Sequence, residues 1–311
     1  MTLVVCRKED HEVFVQSDSK VIDSFGAANE RSLRQNDMLG GLLKTVLIHP
    51  HICLSFSGAS RHATKFLKTF MASDMREWGT RRLIVELFKI HRESGLACEF
   101  ILCESVERSP RITLIKDGNV QVDQQSAWIG SQPAFNKYQE SFHKLDASEP
   151  LNQRMRRAFR EVIDDENLLE VGHFHIEVYL EHKFANTGLI GGGPDSVFAY
   201  EYKGEWDAGN QVLSIKANEA TALPMGSAPY GAYGLGYFRS LSTKRQGVAL
   251  HFPHASFGIL MCPQVDCEKA IIFKDCVATE FLDQIWDTYQ IALEGVAVVS
   301  ETKFQHIRSG R

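Results

Sequence analysis

Near the start of the chain, short apolar, β-branched runs are separated by polar residues. Thr2-Leu3-Val4-Val5-Cys6 and Glu12-Val13-Phe14-Val15-Gln16 read as two strands joined by a polar turn at Arg7 to Asp10. The second run ends at Ser17-Asp18-Ser19-Lys20, and an antiparallel hairpin brings Asp18 back beside the first residues. Residues 23–41 are polar and Gly-bearing and read as a loop. Leu42 to Ile48 and Ile52 to Phe56 are further strands around His49-Pro50-His51. Ser57-Gly58-Ala59-Ser60 then leads into a helix carrying Ala63, Phe66, Leu67 and Phe70 at helical spacing, and a second helix covers about Thr80 to Glu93.

Strand patterns resume at Cys98 to Cys103, Arg111 to Lys116 and Gly118 to Val122, the last two joined by a turn at Asp117-Gly118. A short strand, Ala127-Trp128-Ile129, runs into Gly130-Ser131. Helices are expected after Pro133, at about 150–164 and at 168–184, then a break at Gly191-Gly192-Gly193 and a strand from Ser196 to Tyr202. Runs of strands separated by helix pairs point to an α+β fold of sheets stacked between helix layers, not a doubly wound parallel sheet. Beyond residue 205 the pattern predicts a strand at Gln211 to Ile215 and a Gly- and Tyr-rich loop over 224–237. A hairpin of Gly247–Phe252 with Phe257–Met261 follows, then a strand near Ile271, a closing helix from Phe281 to Gly295 and a frayed basic tail from Thr302.

Composition narrows the function classes. The 311 residues are 44% apolar and 23% charged with a net charge of −5, so there is no electrostatic case for nucleic acid or an anionic membrane. No apolar run reaches the ~18 residues a membrane span needs, and no basic region with a signal-type apolar core opens the sequence. Seven scattered cysteines, an odd number, suit reduced core thiols, so a cytoplasmic protein is expected. His173, His175 and His182 match no recognised metal-ligand spacing, nor do Cys262 and Cys267. Gly191 to Gly193 lacks the Lys-Ser or Lys-Thr of a phosphate loop. No metal and no cofactor is expected.

Thr2 carries the candidate chemistry. It is small, which suits removal of Met1 by an aminopeptidase, and a freed Thr2 bears both a hydroxyl and an α-amine. A threonine hydroxyl needs a base within hydrogen-bond reach, and an α-amine titrates near pH ~8. One residue then supplies nucleophile and base.

In this order, Thr2, Ser17-Asp18-Ser19, Lys44, Phe56-Ser57-Gly58-Ala59, Ile129-Gly130-Ser131 and Gly191-Gly192-Gly193 resemble the motifs of the proteasome β-subunit family of N-terminal-nucleophile hydrolases. The resemblance covers about residues 2–202. It implies a four-layer αββα sandwich over residues 1–205, cleavage of peptide or protein substrates, no metal and assembly into a homo-oligomeric ring; the sequence is silent on any unfoldase partner. Residues 206–311 would be a C-terminal α/β extension without assigned chemistry. By the same resemblance Thr2 would be the nucleophile, Lys44 its activating cation and Asp18 the partner of Lys44. The Gly58 N–H would bind the oxyanion, and Ser131 would hydrogen-bond the α-amine. Phe56 and Ser57 would fall at the substrate pocket. The sequence departs from the family at Asn186-Thr187-Gly188-Leu189-Ile190, where an Asp is usual, and residues 23–41 push Lys44 farther along the chain than is usual. Two further readings stay open: a ring subunit that has lost the chemistry, and an N-terminal-nucleophile amidase acting on small amides.

Overall fold

The computed structural model describes residues 2–10, 12–18, 41–42, 44–49, 51–72, 78–106, 109–165, 167–168, 170–171, 175–183, 195–207, 212–216, 234–242, 247–252, 257–262, 265, 271–300 and 303–309. The late motif at 186–193, the loop at 23–40, the tyrosines at 230 and 233, His173 and Cys267 lie outside these residues.

The opening hairpin forms as its pattern predicts: β1 (Leu3–Glu9) pairs antiparallel with β2 (Glu12–Asp18). Leu3, Val4, Val5 and Cys6 are all buried, because this strand has packing on both faces. A first sheet runs in the order β12-β11-β10-β2-β1-β9, where β9 is Ser126–Gly130, β10 His175–Lys183, β11 Asp195–Asp207 and β12 Val212–Lys216. A second sheet runs through β4 (Thr45–His49), β5 (Ile52–Gly58), β6 (Cys98–Val106), β7 (Ser109–Lys116) and β8 (Asn119–Gln121).

A third sheet has the order β16-β15-β14-β13-β17-β18. Its strands are β13 (Gly234–Ser240), β14 (Val248–Phe252), β15 (Phe257–Met261), β16 (Ile271–Lys274), β17 (Leu293–Ser300) and β18 (Lys303–Arg308), and the short β3 (Gly41–Leu42) pairs with β13. The helices are α1 (Ser60–Ala72), α2 (Thr80–Glu93), α3 (Gln132–Lys144), α4 (Leu151–Ile163) and α5 (Ala278–Tyr289). Every strand pairing among the described residues is antiparallel.

Three apolar clusters hold these elements. Val4, Cys6, Val13 and Val15 of the first sheet join the inner residues of the second sheet and Phe66, Leu67, Leu83 and Leu87 of α1 and α2. Leu3, Val5 and Phe14, facing the other way, pack on Tyr138, Met155 and Phe159 of α3 and α4. Phe238, Leu260, Phe281 and Ile285 form the core of the third sheet with α5. The six described cysteines are buried thiols. Among the described residues no helix is long and apolar enough to cross a membrane.

Several expectations are corrected. The helix expected at 168–184 is the strand β10, in which Ile176, Val178 and Leu180 point into the main core with period two. The closing helix stops at Tyr289. Gln290 adopts a left-handed conformation (φ 55°), and Leu293 and Gly295 lie in β17. The tail expected to fray is β18, fastened by the buried Ser309, whose Oγ accepts the Leu293 N–H at 3.0 Å. Residues 234–237 of the expected Gly- and Tyr-rich loop are in β13.

On β10, His175 is fully buried and its ring stacks on Phe159 at 4.8 Å between centroids. Burial, with Arg156 and Arg160 adding repulsion, pushes its pKa down from 6.5 to about 3, so the ring is neutral in the folded chain. The unfolded chain binds a proton below pH 6.5 and the folded chain does not until about 3. Stability should therefore fall as pH drops through that window, by at most about 1.4 kcal/mol per pH unit from this group. Urea unfolding between about pH 7 and pH 5 should give a shallower pH slope for His175→Leu than for the parent.

Candidate active site

The β1–β2 register, with Val4 opposite Ser17, carries Leu3 and Thr2 alongside Asp18. The Asp18 carboxylate is fully buried there. Its Oδ1 accepts the Leu3 N–H at 2.9 Å and the Thr2 hydroxyl, and its Oδ2 accepts Lys44 Nζ at 2.9 Å. Lys44 is 5% exposed and Thr2 2%, so a charged pair and a hydroxyl meet largely out of water.

Lys44 comes to this point from the second sheet. It immediately precedes β4, and its carbonyl accepts the Phe56 N–H of β5 at 2.9 Å. Next to it, the Thr45 hydroxyl donates to Ser17 Oγ at 3.0 Å and lies 3.0 Å from Ser55 Oγ, so buried hydroxyls tie the two sheets together beneath the ion pair.

On its other side β1 pairs with β9, Leu3 opposite Gly130, and the Ser131 N–H donates to the Thr2 carbonyl at 2.7 Å. Gly130 has φ +104°, and a Cβ there would lie 2.0 Å from the Thr2 carbonyl oxygen. Glycine is required by both the backbone conformation and the contact. Gly130→Ala should destabilise the chain by about 3 kcal/mol, read as a lower urea midpoint at unchanged m.

Each expected site residue can now be located. Thr2, Asp18 and Lys44 meet directly. Ser131 reaches Thr2 through its backbone; its hydroxyl donates instead to Glu170 Oε1 at 2.6 Å and accepts the Ala134 N–H at 3.3 Å as the N-cap of α3. Gly58 lies exposed at the end of β5 with φ +81°, where a Cβ would be 1.9 Å from the Ala97 carbonyl oxygen. Ser57 is 2% exposed. Phe56 does not face an opening: it is 1% exposed and belongs to the main core, so a residue expected at the substrate pocket props β5 from inside.

Two carboxylates beside these residues escaped the sequence reading. Glu170 carries no local signal, because it reaches Ser131 only through the fold. Glu99 does carry one, an acid inside the apolar run Cys98 to Cys103. It lies opposite Ser57 in the β5–β6 register, and its Oε2 accepts both Ser57 Oγ at 3.2 Å and the Gly130 N–H at 3.0 Å. One side chain thus links the end of β5 to the β9 turn that holds the Thr2 carbonyl. Its Oε1 lies 3.8 Å from Lys116 Nζ, which sits 3.1 Å from the centroid of the Trp128 ring. Burial lowers the Lys116 pKa, and Glu99 opposes that shift.

The arrangement offers a hydroxyl already donating to a buried carboxylate, with a buried ammonium on that carboxylate's other oxygen. This suits nucleophilic attack on a carbonyl carbon. Among the described residues no group of three His, Cys, Asp or Glu side chains is arranged to hold a metal ion.

No family model matches the chain, and no curated protein matches it. Among solved structures, a eukaryotic HslV from Trypanosoma brucei is similar over 58% of this chain and 100% of that one, at 18% identity and a TM-score of 0.42. An overlap of that size leaves the function to be read from the chain's own residues.

Proposed function

We propose that this chain is a threonine-type N-terminal-nucleophile hydrolase that cleaves peptide bonds, with Thr2 as nucleophile once Met1 has been removed. The observation that carries the reading is the Thr2 hydroxyl bonded to Asp18, whose other oxygen holds Lys44 Nζ at 2.9 Å. Thr2 Oγ1 attacks the scissile carbonyl carbon and its proton passes to the freed α-amine. The Lys44 ammonium favours the developing negative charge on Oγ1, and Asp18 keeps Lys44 in place.

The carbonyl oxygen becomes an oxyanion that the Gly58 N–H stabilises, a role typically worth ~3 kcal/mol. The C–N bond breaks, the leaving amine takes the proton, and an ester to Thr2 remains. Water then attacks that ester, its proton returns through the α-amine to Oγ1, and the acid product leaves.

Around this site we read a four-layer αββα sandwich. Support comes from the first sheet, which packs on α3 and α4 with one face and shares a core with the second sheet, α1 and α2 on the other. A homo-oligomeric ring in the cytoplasm acting on peptides or unfolded proteins follows from the same reading. One observation favours the alternative of a subunit without chemistry: the Ser131 hydroxyl is bonded to Glu170.

A peptide epoxyketone tests the choice, since it closes a ring with both the hydroxyl and the α-amine of an N-terminal threonine. Intact mass should show a chain lacking Met1 that gains one probe, mapped to Thr2. Purified, folded protein that keeps Met1, or a probe found elsewhere, would overturn the proposal. A panel of peptides and small amides separates a peptidase from an amidase.

A further inference from the structure

We infer that the C-terminal third sheet positions Lys44, so that the candidate site is completed in cis by residues 234–309. The inference deepens the proposed function and rests on it for its catalytic consequence. The short strand β3 belongs to a different sheet from β4. It pairs antiparallel with β13, Gly234 opposite Leu42 and Leu235 opposite Gly41. Two positions after Leu42 comes Lys44, and at Thr45 the chain enters β4 in the second sheet. Lys44 therefore marks the crossing between two sheets, two residues beyond the strand that pairs with the C-terminal sheet and with its own carbonyl bonded to β5.

The strand that grips β3 is well anchored. β13 is flanked by β14 and β17 over Gly236 to Ser240. Behind it Phe238 meets Phe281 of α5 with ring centroids 6.4 Å apart. Gly258 of β15 lies so close to α5 that a Cβ there would be 2.4 Å from the Phe281 ring. Leu250 and Ile259 from β14 and β15 join the main core cluster with Val46 and Ile48 of β4. The third sheet is thus fixed to α5 and to the body that carries the site, and β3 is held from it. Lys44 must keep Nζ 2.9 Å from Asp18 Oδ2, and a displacement of about 1 Å at a reacting group costs roughly 100-fold in rate.

The test uses the full chain and the variant Leu235→Pro, which removes a backbone N–H from the strand facing β3. Acylation of individual lysines, read by mass spectrometry, compares Lys44 with Lys8, whose side chains are 6% and 9% exposed. The variant should raise Lys44 acylation about tenfold relative to Lys8 by local opening. Epoxyketone labelling of Thr2 should fall roughly 100-fold, and that fall should vanish when Lys44→Met is already present. An unchanged Lys44-to-Lys8 ratio in folded Leu235→Pro overturns the inference. If the parent Thr2 does not react, the proposed function fails, while the acylation ratio still decides the positioning. Where the variant does not fold, hydrogen exchange on the parent decides. In this two-pair antiparallel ladder one pair is hydrogen-bonded, so one of the Gly41 and Leu42 amides should exchange as slowly as those of β14, and unprotected exchange at both overturns the inference.

Discussion

Thr2→Ala is expected to abolish both peptide cleavage and epoxyketone labelling, lowering turnover at least about a thousandfold, because it deletes the attacking oxygen that donates to Asp18 Oδ1. The folded chain should survive. The variant loses one hydrogen bond to a charged group, a cost of about 2 kcal/mol, while the Leu3 N–H still donates to the same oxygen at 2.9 Å. Thr2→Ser keeps the hydroxyl and should retain measurable labelling. Steady-state cleavage of a fluorogenic peptide, with circular dichroism as the control for folding, makes the comparison. Equal cleavage by the parent and Thr2→Ala would end the catalytic reading.

The second large effect concerns stability. Asp18 and Lys44 side chains are 0% and 6% exposed, and the pair is 2.9 Å apart. Asp18→Ala takes the carboxylate from a buried ammonium, the Leu3 N–H and the Thr2 hydroxyl, so it should cost about 3–5 kcal/mol. Asp18→Asn combined with Lys44→Met removes both charges and keeps similar volume, and it should recover most of that loss while remaining inactive. Urea unfolding at neutral pH separates the two. A loss below about 1 kcal/mol for Asp18→Ala would mean that the charges do not meet out of water.

Local periodicity made much of this fold legible. The apolar, β-branched run Val13 to Val15 and the helical spacing of Phe66, Leu67 and Phe70 are properties of short windows, and the hairpin of β14 with β15 is likewise local. The meeting of Thr2 with Asp18 was legible for a related reason, since a hairpin returns its second strand to its own beginning, whereas Lys44, which comes from the second sheet, was expected there only through the family resemblance.

What failed depended on distant packing. Ile176 to Leu180 mixes Tyr and Leu with β-branched residues, and only its place beside β2 decides for strand over helix. The tail from Thr302 looked terminal because β17, its neighbour in the hairpin, was read as the end of a helix, and what makes β17 a strand is its pairing with the distant β13. Glu170 and Glu99 act across 39 and 31 residues, and no pattern within a strand or helix reports such a partner.

The tightness around Thr2 has a bearing on when the protein matures. With Thr2 2% exposed, its carbonyl taken by Ser131 and the next amide by Asp18, the second residue is woven into the sheet. An exopeptidase works on a loose, extended terminus. If Thr2 is the nucleophile proposed above, trimming of Met1 would have to occur while the nascent chain is still emerging from the ribosome, before the opening hairpin meets β9. Material renatured from unprocessed chains should be inert however well it folds, and co-expressed methionine aminopeptidase should restore activity where later addition of the same enzyme does not.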